Sequence, residues 1–219
     1  MSREPATHTV PTGTHGRVLV DAPAGAGPWP VLMGFHGYAE NAAVHLGALA
    51  RLDPRHEWLR VSVQGLHRFY NRAQDVVASW MTREDRTLAI ADNLAYAAAV
   101  RDTVARDYAT TTPLVVAGFS QGAAQAYRAG LAAGAACQGI VVVGGDLPPD
   151  VAANAARLPP VLVGRGRDDT WYTSEQLAAD RQCLLAAGVT CAVCEFDGGH
   201  EWGDVFVEAA ASWLAARRR

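Results

Sequence analysis

One stretch, residues 112–133, constrains the fold of this chain more than any other; it reads TPLVVAGFSQGAAQAYRAGLAA. Leu114, Val115, Val116 and Ala117 form an apolar run behind Pro113, the pattern of a strand buried on both faces. Gly118, Phe119, Ser120, Gln121 and Gly122 follow at once. Residues 123–133 are then rich in helix formers and stop at Gly134, a fitting C′ glycine. A strand that turns directly into a helix forces its central residue into a strained backbone, and glycines two before and two after leave room for the turn. Ser120 is therefore expected at the top of a sheet and at the N-terminus of a helix. A tight turn with a capping serine uses the same letters, so the partners elsewhere in the chain decide between the two.

The remaining chain alternates strand and helix patterns. Strands are expected at 17–21, 29–35, 58–63, 138–143, 160–163 and 189–196, with 7–10 as a further edge strand beside the first. Helices are expected at 42–51, 84–108, 174–187 and 203–219. In the second of these Ile90, Leu94, Ala97, Val104 and Tyr108 share a face. Thr173 or Ser174 is placed to cap the third helix and Gly188 to close it, and Arg217, Arg218 and Arg219 suit the negative end of the fourth. This pattern predicts one α/β domain: a mainly parallel sheet of about seven strands, helices on both faces, and an antiparallel N-terminal strand. Residues 64–82 show no clean period and are expected to form a long irregular connection that caps the site.

Composition excludes several function classes. Half of the 219 residues are hydrophobic, yet no apolar run approaches the ~20 residues of a membrane span. The net charge of −3 gives no electrostatic case for nucleic acid. The first residues contain no apolar leader segment, which points to a cytoplasmic protein. Cys137, Cys183, Cys191 and Cys194 have no spacing that dictates a pairing and are expected as buried free thiols. Cys191 and Cys194, three apart on a strand, should face opposite ways. Every basic residue is arginine, which excludes a lysine nucleophile or Schiff base.

In such a sheet, reactive residues collect at the carboxyl ends of strands. Four ends carry suitable chemistry: His36-Gly37, Ser120, Asp168-Asp169 and Gly199-His200. A serine hydroxyl needs a base to take its proton, and His200, after the last strand on a flexible Gly198-Gly199 loop, is the best placed of seven histidines. The base needs a carboxylate to fix its tautomer. Asp169 is preferred, with Asp168, Asp146 and Asp197 remaining open. Donors for an oxyanion are expected from the backbone N–H of Gln121 and of Tyr38; the Tyr38 ring is also placed to line an acyl pocket. His36 is read as shaping its loop, and Trp202 as packing the histidine loop. Nucleophile, acid, histidine is the chain order of α/β-hydrolases.

His36-Gly37, Gly118-Phe119-Ser120-Gln121-Gly122, Gly166-x-x-Asp169 and Gly199-His200 resemble the phospholipase/carboxylesterase family of α/β-hydrolases, which includes the acyl-protein thioesterases. Ser79-Trp80 also sits where related enzymes often place such a pair. The resemblance implies the α/β-hydrolase fold and serine carboxylester hydrolysis through an acyl-enzyme, with Ser120, Asp169 and His200 as triad. It selects Asp169 because the family's acid lies three residues past a glycine. The chain departs from the family at Tyr38-Ala39-Glu40, where H-G-x-G-D is usual, and at Thr170-Trp171-Tyr172, where Asp-Pro-x-Val is usual.

Trp80, Trp171 and Tyr172 are expected as apolar walls of the site. Arg68 or Arg72 is expected either to grip an anionic part of the substrate or to be a solvated surface residue. The substrate is expected to be a small-molecule ester. The same residues serve a thioester or an amide, and a non-catalytic ligand-binding protein on this fold is the alternative class. The mechanism requires no metal and no cofactor.

Overall fold

The computed structural model describes residues 5–218. The sequence readings of residues 1–4, as part of a start without an apolar leader, and of Arg219, as a helix end, lie outside them. In chain order the elements are β1 (Arg17–Asp21), β2 (Trp29–Phe35), α1 (Ala42–Leu52), β3 (Leu59–Gln64), β4 (His67–Tyr70), β5 (Val76–Ser79), α2 (Arg86–Asp107), β6 (Thr110–Phe119), α3 (Gln121–Ala133), β7 (Cys137–Val143), α4 (Pro149–Ala152), β8 (Val161–Gly166), α5 (Ser174–Ala186), β9 (Cys191–Phe196) and α6 (Asp204–Arg217). Seven strands form one sheet in the order β1-β3-β2-β6-β7-β8-β9. Only β1 runs antiparallel, against β3; the other neighbours are parallel.

The central strands are apolar on both faces because helices cover both. Val31, Met33 and Phe35 of β2 face the cluster closed by Val100 of α2, Tyr127 of α3 and Leu184 of α5. Leu32 faces the opposite cluster, closed by Leu49 of α1 and by Phe206, Ala210 and Leu214 of α6. The same alternation separates Cys191, packed against the first cluster, from Cys194, packed against the second. All four thiols are free, but only Cys137 is buried; the other three are half-buried, because α5 and the outermost strand β9 lie at the rim of the sheet.

Three local expectations are corrected. Residues 7–10 form no strand: they are exposed throughout and have no apolar side to set against β1, whose partner is β3. Residues 64–82 are not irregular but contain the antiparallel hairpin β4–β5, in register from His67↔Ser79 to Tyr70↔Val76. On α2 the buried stripe is Asn93, Ala97, Val100 and Val104, leaving Ile90 and Leu94 half-buried. At α5 Thr173 is the cap: it accepts from the Gln176 N–H while Gln176 reaches back to the Thr173 N–H. No helix among the described residues is long and apolar enough to cross a membrane.

Candidate active site

The turn between β6 and α3 is built by close approach. A Cβ on Gly118 would lie 2.3 Å from the Gly122 carbonyl oxygen, and one on Gly122 only 2.0 Å from the Phe35 carbonyl oxygen. Both positions admit only glycine, so α3 starts hard against the end of β2. Ser120 absorbs the turn, with φ 53° and ψ −120°, a conformation that costs a non-glycine residue about 1–3 kcal/mol. Its N–H is bound to the Val143 carbonyl, 3.0 Å away. Its hydroxyl makes no capping bond to α3 and is left for another partner.

That partner is His200. Its Nε2 lies 2.7 Å from the Ser120 Oγ, and its Nδ1 lies 2.8 Å from the Asp169 Oδ2. Asp169 is 4 % exposed. Its other oxygen, Oδ1, accepts the N–H groups of Trp171 at 2.8 Å and Tyr172 at 3.0 Å. With the carboxylate held as an acceptor, Nδ1 carries the imidazole proton and Nε2 accepts from the serine hydroxyl. Among the carboxylates left open by the sequence, Asp168, Asp146 and Asp197 are all exposed, and Asp197 pairs with Arg167. The structure therefore brings Ser120, Asp169 and His200 into one hydrogen-bonded line. Phe119 packs against the His200 ring with centroids 4.9 Å apart, and Trp202 lies 6.0 Å behind Phe119.

Two backbone N–H groups are candidate oxyanion donors. Gln121 is the first residue of α3, so its N–H has no intrahelical acceptor. In the loop after β2, Gly37 N–H donates to Glu40 Oε2, Ala39 N–H to the Ala78 carbonyl, and Glu40 N–H to the Gly37 carbonyl. The Tyr38 N–H has no such acceptor among the described residues. The loop is pinned at three points. β5 returns the Ala78 N–H to the Glu40 carbonyl at 2.8 Å. His36, fully buried, donates from Nδ1 to the Gly37 carbonyl and accepts the Gly65 N–H at Nε2, so it is neutral, and burial pushes its pKa down. Burial pushes the Glu40 carboxyl up, against the Gly37 N–H and the nearby His200.

A cleft of about 410 Å³ opens beside Ser120, lined by Met81, Arg86, Ala124, Arg128, Trp171 and His200 among others. Trp171 is 79 % exposed and stands at its rim. Tyr172 also borders it, but its ring is buried and its hydroxyl donates to the Asp180 Oδ2 at 2.9 Å. Trp80 is not a wall. It is fully buried against Phe35 and His36, and its Nε1–H donates to the His36 carbonyl at 2.8 Å. Arg68 and Arg72 do not reach the cleft either: both are exposed, and the Arg68 guanidinium is turned to the His15 carbonyl, 2.8 Å away. The Tyr38 ring, 62 % exposed, leans on Phe69 rather than entering the cleft. Of residues 64–82 only Met81 and Thr82 touch the cleft, so the segment props the Tyr38 loop rather than capping the site.

The Gln121 side chain, whose role the sequence reading left out, and Arg128, which it did not single out, organise this wall. The Gln121 side chain accepts the Trp80 N–H at 2.8 Å and donates to the Met81 carbonyl at 2.9 Å. Arg128, 2 % exposed, stands on the cleft face of α3. Spacing alone could have found Arg128, since 121, 124 and 128 share one helical face.

The sheet order and the placement of these residues define an α/β-hydrolase fold. Arabidopsis thaliana SOBER1 has a TM-score of 0.68 at 19 % identity, over 87 % of this chain and 99 % of that one. Zea mays acyl-protein thioesterase 2 gives 0.70 at 20 % identity, over 94 % and 100 % of the two chains. The Bacillus cereus carboxylesterase gives 0.69 at 20 % identity, over 92 % and 94 %. At these identities the likeness is one of fold. No protein-family model and no curated protein sequence matches the chain.

Proposed function

We propose that this chain is a serine carboxylester hydrolase of the phospholipase/carboxylesterase type. The observation that carries the reading is the unbroken line from the Ser120 hydroxyl through His200 to Asp169, with bonds of 2.7 and 2.8 Å. Esterase and thioesterase structures on the same fold support it. Ser120 Oγ attacks the ester carbonyl while His200 Nε2 takes its proton; Asp169 holds the imidazole and stabilises its charge. The tetrahedral oxyanion is received by the Gln121 and Tyr38 N–H groups, at the positive end of α3. His200 returns the proton to the leaving alcohol, and a water then repeats the sequence on the acyl-enzyme.

The test is labelling by a fluorophosphonate. Wild type should take up one probe at Ser120, and Ser120→Ala none. A folded wild type that stays unlabelled would turn the reading toward a non-catalytic binding protein. A panel of p-nitrophenyl esters and acyl thioesters of graded chain length then separates esterase from thioesterase, since the triad serves both.

A further inference from the structure

We propose that the cleft beside Ser120 accepts esters carrying a second, free carboxylate, and that Arg128 receives that carboxylate. The substrate class rests on the hydrolase reading; the anion site stands on its own observation. The Arg128 guanidinium spends two nitrogens on Asp150: Nε to Oδ2 and Nη2 to Oδ1, both at 2.8 Å. The third nitrogen, Nη1, is buried without an acceptor among the described residues. A buried charged donor left unpaired is costly, and an occupant of the adjoining cleft is what would relieve it.

The surroundings favour an anion over a neutral acceptor. Arg83, Arg86 and Arg128 line the cleft against a single carboxylate, Asp146. This is a cationic cavity in a chain whose net charge is −3. Arg86 reaches toward the Met81 sulfur, 3.1 Å away, on the same wall. It also helps hold the Asp150 carboxyl below the usual carboxylate range, behind the larger effect of Arg128. Gln121, Ala124 and Arg128 follow one another along the cleft face of α3. Seven residues of helix put the Arg128 Cα about 10 Å from that of Gln121, and helical side chains lean back toward the N-terminus. A carboxylate a few bonds from the scissile carbonyl therefore spans the two. Ala124, between them, leaves the floor open.

Two substrate pairs test this. The 4-nitrophenyl monoester of adipic acid against 4-nitrophenyl hexanoate puts the charge on the acyl side; 4-acetoxybenzoate against phenyl acetate puts it on the alcohol side. In at least one pair the charged ester should show a kcat/KM about 10- to 100-fold higher, the range expected of a charge-assisted bond in a sheltered site. Arg128→Gln should bring that ratio close to one. Asp150→Asn, which leaves Arg128 in place and removes its counter-charge, should raise the ratio, and keeps the test valid if Arg128→Gln does not fold. No preference in either pair, or a preference that both variants leave unchanged, overturns the inference. Calorimetric binding of adipate to Ser120→Ala, with and without Arg128→Gln, separates the two readings. Binding that Arg128→Gln weakens, beside a wild type that hydrolyses none of the four esters, would keep the anion site and remove the hydrolase.

Discussion

Asp169→Asn is the most informative single substitution, because the surroundings of this residue fix the orientation of the new side chain. Oδ1 is held by two backbone donors, the N–H groups of Trp171 and Tyr172. An asparagine must keep its carbonyl oxygen there, since turning the amide would set its NH2 against both. The NH2 is then forced onto the Oδ2 position, 2.8 Å from His200 Nδ1. Two donors cannot share that bond, so Nδ1 becomes the acceptor and the imidazole proton moves to Nε2. In that tautomer Nε2 cannot accept the Ser120 proton. The expected loss is ~10⁴-fold in kcat, about 5.5 kcal/mol of transition-state stabilisation, with the fold retained. Ester hydrolysis, with circular dichroism to establish folding, reads both. Asp168→Asn, at an exposed position, is the control and should stay within about twofold. A folded Asp169→Asn within tenfold of wild type, or an equal loss in Asp168→Asn, would refute the reasoning.

Other outcomes follow from packing and burial. Gly122→Ala should lower stability by at least about 1–3 kcal/mol, since its Cβ would meet the Phe35 carbonyl at 2.0 Å. Gly47→Ala, inside α1 with open space around it, should raise stability by about 0.5–1 kcal/mol; thermal melts compare the two. Trp80→Phe strands the buried His36 carbonyl and should cost about 1–3 kcal/mol in urea unfolding. The His45 ring is buried without hydrogen-bond partners among the described residues, and burial lowers its pKa from 6.5 to about 3. The unfolded chain therefore binds a proton that the folded chain refuses, so stability should fall on acidification through the window from 6.5 toward 3. From roughly pH 6.5 to 4.5 this amounts to about 2 kcal/mol. His45→Gln should flatten that dependence in denaturant titrations, and an unaltered slope would reject the assignment.

The main strands were legible because burial on both faces writes itself as continuous apolar runs, as in β2, β6 and β7. The elbow was legible because close backbone approach allows only glycine at 118 and 122. The strand-end residues came together because a parallel sheet delivers all carboxyl ends to one rim. The hairpin β4–β5 was missed for a physical reason. Its strands have four residues each, β4 is largely exposed, and its value lies in one bridge from Ala78 to Glu40, which leaves no periodic trace. Trp80 was misplaced because an indole suits a core as well as a pocket wall. Its neighbours are set by long-range contacts with His36 and Asn93 that no local pattern records. As a cationic grip the sequence offers Arg68 and Arg72 of residues 64–82, whereas the arginine buried beside the cleft, Arg128, lies on the helix that follows the serine.

The Gln121 side chain gives the site a mechanical property. Its amide clasps residues 80 and 81, while its own main-chain N–H, at the first position of α3, has no intrahelical acceptor. A ligand pressing outward on Met81 would pull on the same residue whose N–H is proposed to receive the oxyanion. Ill-fitting substrates would then be penalised in turnover as well as in affinity, through a lever one residue long.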